Sequence, residues 1–374
     1  MKVVTIIGTR PEIIRLSRVM ARLDEHVNHV IVHTGQNYDY ELNEIFFKDL
    51  ELRKPDHFMN ADTSSLGAAV GDIIRKSGEI LHREKPDAML VLGDTNSCLS
   101  AYMAKRLHIP IFHMEAGNRS FDFNVPEEIN RRIIDHIADY NLVYTEHARR
   151  HLISEGLPHR RIYLTGSPMN EVIQHYLPKI RQSGILGELS LTAKKYFVVS
   201  VHREENVDNP ENLEKILNVL DELQRHYNYP LIVSTHPRAR KRIEGNMNKP
   251  ENDQIRFLKP FGFTDYVRLQ QDAACTISDS GTISEESAIL SFPAISIRQS
   301  MERPEAQDAG TIILTGLNKD TVLDSVKLVM KEHSEGSYTS IPADYQIDNT
   351  SWRVLKLIMG NAGLSNLWHG VAMR

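Results

Sequence analysis

The feature that most constrains this chain is a rhythm of short β-branched apolar runs, each followed by helical spacing, in two successive series. The first series is "KVVTII" (2–7), "HVIVHT" (29–34), "DAMLVLG" (87–93), "PIFHM" (110–114) and "RIYLTG" (161–166). The second restarts at "YFVVSV" (196–201) and runs through "PLIVST" (230–235), "QIRFLKP" (254–260), "CTISD" (275–279), "PAISIR" (293–298) and "TIILTG" (311–316). Strands that are apolar at consecutive positions are buried on both faces, and the helices between them are the crossovers that parallel pairing needs. The pattern predicts an α/β protein of two Rossmann-like domains, with parallel sheets facing a central cleft. No strand signal falls between Ser167 and about Ala193, so the break is placed there. The expected domains are 1–170 and 171–350. Residues 351–374 follow as an amphipathic helix, "NTSWRVLKLIM", and a loosely ordered tail, "GNAGLSNLWHGVAMR".

Bulk properties narrow the function classes. With 374 residues and 41% hydrophobic content, the chain can build two ordinary cores. A net charge of −5 offers no basic footprint for nucleic acid. Cys98 and Cys275 are far apart and lack CxxC spacing, which argues against a disulfide framework or zinc knuckle. The opening "MKVVTIIGTRPEII" reads as a buried strand entering a loop, and no run reaches the ~18 apolar residues of a membrane helix. A soluble cytoplasmic protein without nucleic-acid or membrane partners is expected. The scattered histidines lack metal-ligand spacing, and GxGxxG, Walker and GxSxG fingerprints are missing, so no metal or cofactor is expected.

In open α/β sheets, ligands bind outside the carboxyl ends of the strands. "IIGTRPEIIRLS" (6–17) follows the first strand with a tight turn, Arg10, Pro11 at a helix start and Arg15. Helix N-terminal amides beside Arg10 make an anion site, although a capped helix with a surface arginine fits equally well. Asp94 lies just past "AMLVLG", where it is either a cleft acid or a helix cap. Glu115 occupies the equivalent place after "PIFHM".

"VPEEINRR" then opens a helix with Glu127 and Glu128 in its first turn, acids that complement the helix dipole. Arg131 and Arg132 follow them at the four-residue spacing of helix-face ion pairs, and His136 reads as a partly buried structural histidine.

The second series ends its strands in His202 and Arg203, in His236 and Arg238, and in the small-residue turn Ser280, Gly281, Thr282. That turn opens a helix carrying Glu285 and Glu286, whose first amides can receive a diphosphate and whose early acid can hold ribose hydroxyls. Arg298 and Arg303 come next. Each has a dull explanation alone; together they point to a site.

Eight ordered motifs, "GTRPE", "LGDTNS", "HMEAGNRS", "VPEEINRR", "HREEN", "STHPR", "SDSGTISEE" and "ERPEA", span residues 8–306. They resemble the non-hydrolysing UDP-N-acetylglucosamine 2-epimerase family. "VHTGQNYDYELNEIFFKDLELRKPDHF", "LGDTNSC", "KPFGFTDY" and "SDSGTISEES" resemble one branch of it, the UDP-2-acetamido-2,6-dideoxy-β-L-talose 2-epimerases, which make UDP-N-acetyl-L-fucosamine for bacterial O-antigen and capsule.

The resemblance implies a GT-B-like pair of domains, a C-terminal helix packed on the first domain, a homodimer, and UDP held mainly by the second domain. It implies that Ser280, Gly281 and Thr282 cradle the diphosphate, Glu286 binds ribose and Tyr266 contacts uracil. His202 and Arg10 neutralise phosphate charge, Arg303 lies near the sugar–phosphate region, and Arg15 replaces the family's usual lysine. Arg15, Arg203 and His236 join the UDP-binding set, and His202 is counted among the catalytic residues as well. Asp94, Glu115 and Glu127 correspond to proton-transfer candidates, supported by Arg131. The implied chemistry eliminates UDP to a 2-acetamidoglycal and re-adds it after protonation of C2 from the opposite face. "HTGQNYDY" replaces the segment through which some members bind an activating second substrate, which argues against that activation here. Competing readings are epimerisation of UDP-N-acetylglucosamine to UDP-N-acetylmannosamine, a GT-B glycosyltransferase, and a nucleotide-sugar sensor without turnover.

Overall fold

The computed structural model describes residues 1–35, 46–235, 240, 242–243, 252–300, 302–336 and 341–371. It divides into two compact units, Met1–His175 with Gln346–Arg374, and Tyr176–Tyr345.

The first unit carries a seven-stranded sheet in the order β3-β2-β1-β4-β5-β6-β7. Its strands are β1 (Lys2–Ile7), β2 (Asn28–His33), β3 (His57–Phe58), β4 (Ala88–Leu92), β5 (Ile111–Ala116), β6 (Tyr140–Val143) and β7 (Ile162–Leu164), paired in parallel throughout. Every residue of β4 is buried, as its unbroken apolar run requires. Helix α1 (Arg10–His26) starts on a capping box, in which Glu12 folds back onto Thr9. Helices α2 (Leu66–Glu84) and α3 (Pro126–Ile137) follow. One core joins Val4, Ile6, Val32, Met89, Val91, Ile111 and Ile134.

Two strands of this sheet escape the sequence pattern. β3 is only two residues long. β6 is disguised by polar residues: Asn141 is buried and donates to the Asp135 carbonyl at 2.9 Å, while Tyr140 stacks on Phe112 with centroids 4.6 Å apart. Burial of a satisfied amide lets a polar sequence occupy an inner strand.

The second unit carries a six-stranded sheet in the order β10-β9-β8-β11-β12-β13. These are β8 (Phe197–Ser200), β9 (Leu231–Ser234), β10 (Ile255–Leu258), β11 (Cys275–Ser278), β12 (Ala294–Ser296) and β13 (Ile313–Leu314), again all parallel. Helices α4 (Pro210–Tyr227), α5 (Phe263–Asp272), α6 (Ile283–Leu290) and α7 (Lys319–Ser334) belong to this unit. Both sheets reverse direction beside their first strand, between β1 and β4 and between β8 and β11. Those reversals are the switch points where α/β sheets bind ligands.

Beyond the second unit the chain returns to the first as α8 (Thr350–Trp368). The expected loose tail is instead helical as far as Trp368, because one face of the helix is buried through Val354, Ile358, Ala362 and Ser365. α8 packs on α1, with the Arg22 guanidinium 4.2 Å from the Trp352 ring centroid. Thr350 Oγ1 donates to the Thr165 carbonyl at 3.1 Å, and Ser351 donates to Glu171 through both N and Oγ. No helix among the described residues is long and apolar enough to cross a membrane.

Candidate active site

In the first unit the switch point is built on buried charge. Glu12 accepts from Gly8 N at 2.9 Å, from Thr9 N at 2.6 Å, and from Thr95 Oγ1 and Ser97 Oγ. It thereby ties the turn after β1 to the turn after β4, and burial outweighs these bonds to raise its pKa. One turn further along α1, Arg15 is 2% exposed, with Nη1 3.1 Å from Glu115 Oε2.

Asp94 follows Gly93, whose φ of +71° makes the turn that L side chains resist. Arg131 reaches from α3 to the Asp94 carboxylate, lies 3.9 Å from Glu115 Oε1, and donates to the Asn118 carbonyl at 3.3 Å. Two carboxylates therefore meet two guanidinia, one pair from strand ends and the other from helices. Spacing alone offers Arg131 a helix-face pairing with Glu127, whereas the family resemblance implies support of the acids; the structure turns it to Asp94 and Glu115. Arg131 turns inward because a buried guanidinium requires a carboxylate, and Asp94 and Glu115 supply two.

Glu115 is not past the end of its strand but inside β5, at an irregularity where the pairing shifts between Met114 and Ala116. Its φ is +63°, a left-handed conformation that costs a non-glycine residue about 1–3 kcal/mol. The bulge swings this one side chain out of the sheet's alternation and onto the two arginines.

Glu127 is half-buried and makes no side-chain hydrogen bond or ion pair among the described residues. The structure does not bring it onto the Asp94–Glu115 cluster through any bond. Glu128 is buried, accepts from Ser120 N at 2.9 Å and pairs with Arg132 at 2.8 Å, the expected helix-face partner. Asp122 caps its own loop by accepting from Asn124 N at 2.9 Å. His136 is exposed rather than partly buried, and its Nδ1 meets the Arg132 carbonyl at 2.8 Å. Arg10 is half-buried, 5.8 Å from the Phe46 ring centroid.

Beneath the acids lies a buried network that sequence reasoning missed. His113 Nε2 donates to the Gly93 carbonyl at 2.8 Å, while Nδ1 lies 3.0 Å from Asp135. Arg119 donates to Asp135 at 2.7 Å and forks onto Glu155 at 2.8 and 2.6 Å. Burial would raise the Asp135 pKa, but His113 and Arg119 together hold it below the usual carboxylate value. The network anchors the turn that presents Asp94. Its one sequence signal was a histidine inside the apolar run "PIFHM".

In the second unit the switch point is open and basic. Asp279, at the end of β11, is fully buried and accepts from His202 N at 3.1 Å, Arg203 N at 3.0 Å and Asn206 Nδ2 at 3.0 Å. Its carboxylate also lies 3.1 Å from His202 Nδ1. Burial works against the charge, yet His202 and these donors hold the pKa down at about 2. Asp279 thus shapes the loop after β8 and leaves the His202 side chain 46% exposed.

Ser280, Gly281 and Thr282 form the turn into α6, with Ser280 Oγ 3.0 Å from Thr282 Oγ1. Behind them, Glu286 accepts from Gln270 Nε2 at 2.8 Å. The nearby Tyr266 phenol is pushed upward by burial and by the Glu286 charge. Arg303 is engaged by Glu285 of α6. His236 lies outside the described residues.

Comparisons with known proteins bear on the fold and the family. The family model for UDP-N-acetylglucosamine 2-epimerase matches residues 21–359. The structure of a UDP-N-acetylglucosamine 2-epimerase from Rickettsia bellii superposes with a TM-score of 0.93 at 49% identity, covering 99% of each chain. The Methanocaldococcus jannaschii enzyme, solved with UDP-GlcNAc and UDP, superposes with a TM-score of 0.89 at 33% identity, covering 96% of this chain and 100% of that one. A UDP-2,3-diacetamido-2,3-dideoxy-D-glucuronate 2-epimerase of Pseudomonas aeruginosa is 32% identical over 333 residues, 87% of this chain and 92% of the relative. With two Rossmann-like parallel sheets and a family match over most of its length, the chain is a GT-B-like isomerase that belongs to the UDP-N-acetylglucosamine 2-epimerase family.

Proposed function

We propose that this UDP-sugar 2-epimerase inverts C2 of a UDP-activated N-acetylhexosamine by eliminating UDP to a 2-acetamidoglycal and re-adding it. The observation that carries this reading is the pair Asp94 and Glu115, gripped by Arg131 and Arg15 at the first sheet's switch point. A C2 proton beside an N-acetyl group is only weakly acidic, so its removal needs a fixed base as the C1–O bond breaks. Return of a proton to the opposite face needs a second acid, which is a use for two carboxylates; Glu127 is the third proton-transfer candidate. Departing UDP takes its charge to Ser280, Gly281, Thr282, His202, Arg203, Arg10 and Arg303, a preorganised stabilisation of the leaving group. Glu286 holds ribose, Tyr266 contacts uracil, and His236 completes the UDP set.

For the sugar, the branch-like motifs favour UDP-2-acetamido-2,6-dideoxy-β-L-talose, converted to UDP-N-acetyl-β-L-fucosamine for O-antigen or capsule synthesis. The second reading is UDP-N-acetylglucosamine, favoured by the ligands of the M. jannaschii relative. The enzyme acts as a cytoplasmic homodimer in this proposal. Incubation with each nucleotide sugar in D2O, followed by NMR at C2, decides the substrate. Deuterium enters the true one, and no exchange with either sugar would overturn the reading.

A further inference from the structure

Beside Arg203 of the UDP set, the second unit holds another arginine, Arg298, that the set does not use. A side chain added at Gly281 would meet Arg298 Nη1 at 3.7 Å, Arg203 Nη2 at 3.8 Å and Glu302 Oε2 at 4.0 Å. Glu302 stands between the two guanidinia, with Oε1 2.9 Å from Arg298 Nη2 and 3.6 Å from Arg203 Nη2. Arg298 is 2% exposed, and its Nε is buried without a hydrogen-bond partner among the described residues. One carboxylate thus faces two guanidinia, and the excess positive charge points at the one position in the turn that lacks a side chain.

We infer that Arg298 is a further ligand of the diphosphate, held in place by Glu302, which acts as the site's internal counter-ion until a nucleoside diphosphate takes over part of that role. The inference rests on the proposed binding of UDP at Ser280, Gly281 and Thr282. A guanidinium presents a planar fork that matches phosphate oxygens in pairs, and a buried one with unused donors has more to gain from an incoming anion than a solvated lysine. The first amides of α6 contribute the same sign of potential from the other side of the turn. Glu302 opposes them. It stabilises the empty site and competes with the ligand, so removing its charge and removing that of Arg298 must move affinity in opposite directions.

The test is calorimetric titration of the full chain with UDP, UMP and uridine, alongside thermal unfolding. Arg298→Met is expected to weaken UDP by about 10- to 100-fold, the loss of a charge-assisted hydrogen bond, and to leave uridine unchanged. Arg298→Lys, which keeps the charge and most of the volume, falls between. Glu302→Gln is expected to lower the unfolding temperature yet tighten UDP several-fold, again with uridine unchanged. A residue that only braced the turn would weaken UDP and uridine together in both variants, and that result overturns the inference. Wild-type affinity for UDP in Arg298→Lys and Glu302→Gln overturns it while leaving the UDP reading intact. A wild-type protein that binds neither UDP nor uridine removes both.

Discussion

The two units have the same sheet order around the switch point and the same parallel pairing, yet they place opposite chemistry there. In the first unit, carboxylates stand at the strand ends and buried arginines come from helices to hold them. In the second, a small-residue turn and basic side chains occupy those ends, and the acid at the end of β11, Asp279, is spent on the His202–Asn206 loop. The fold therefore specifies where a ligand is met and leaves the chemistry to a few side chains past each strand. The energetics differ as well. The first site is a buried ion cluster with a strained Glu115; the second is a preorganised loop in which a side chain at Gly281 would come into ordinary contact with Arg298 and Arg203.

The largest test of this contrast is Arg131→Gln. Removing the cation leaves Asp94 and Glu115 partly uncompensated, and such losses cost about 3–5 kcal/mol. Urea unfolding is expected to show that loss, and a change under 1 kcal/mol would mean the cluster is far better solvated than its burial indicates.

Asp279→Asn probes the second unit. The folded pKa of about 2 lies below the reference value of 3.8, so the carboxylate contributes about 2 kcal/mol above pH 4, and that contribution disappears as pH falls through 2. Stability measured against pH should show wild type and variant converging in acid. A constant offset would assign the difference to shape and not to charge.

Gly281→Ala adds a methyl at ordinary contact distance from its neighbours. The unfolding temperature is expected to stay put while UDP affinity drops about tenfold, about 1.4 kcal/mol, through lost approach to the backbone. Unchanged affinity would move the diphosphate away from this turn. The smallest effect on stability is expected for Glu127→Gln, within about 0.5 kcal/mol, because its carboxylate makes no hydrogen bond or ion pair among the described residues. Turnover in that variant reports whether Glu127 meets the sugar.

Much of each site was legible because the parallel strands of one sheet all end at one edge, so Arg10, Asp94 and Glu115 in the first unit, and His202 and Ser280 in the second, could be grouped without knowing any distance. Arg131 was legible only through the family resemblance, since its four-residue spacing from Glu127 offered a partner on the helix surface as well. The bulge at Glu115 left no trace in residue types, because any residue at that position would read as strand. His113, Asp135 and Arg119 act through burial, which a polar residue in a sequence does not announce. Asp279 was visible in "SDSG", but its four donors come from a loop more than seventy residues away. Strand β6 and the end of α8 were hidden for a related reason: tertiary packing, not local propensity, decides them.

The central claim is a division of labour, with proton transfer in the first unit and UDP binding in the second. The most direct measurement is the rate of C2 deuterium incorporation by Asp94→Asn in D2O, taken beside its affinity for UDP. The expected result is a 10²- to 10⁴-fold slower exchange, about the contribution of a general acid or base, with UDP affinity within about threefold of wild type. Exchange at the wild-type rate, or an equal loss of UDP binding, would contradict it.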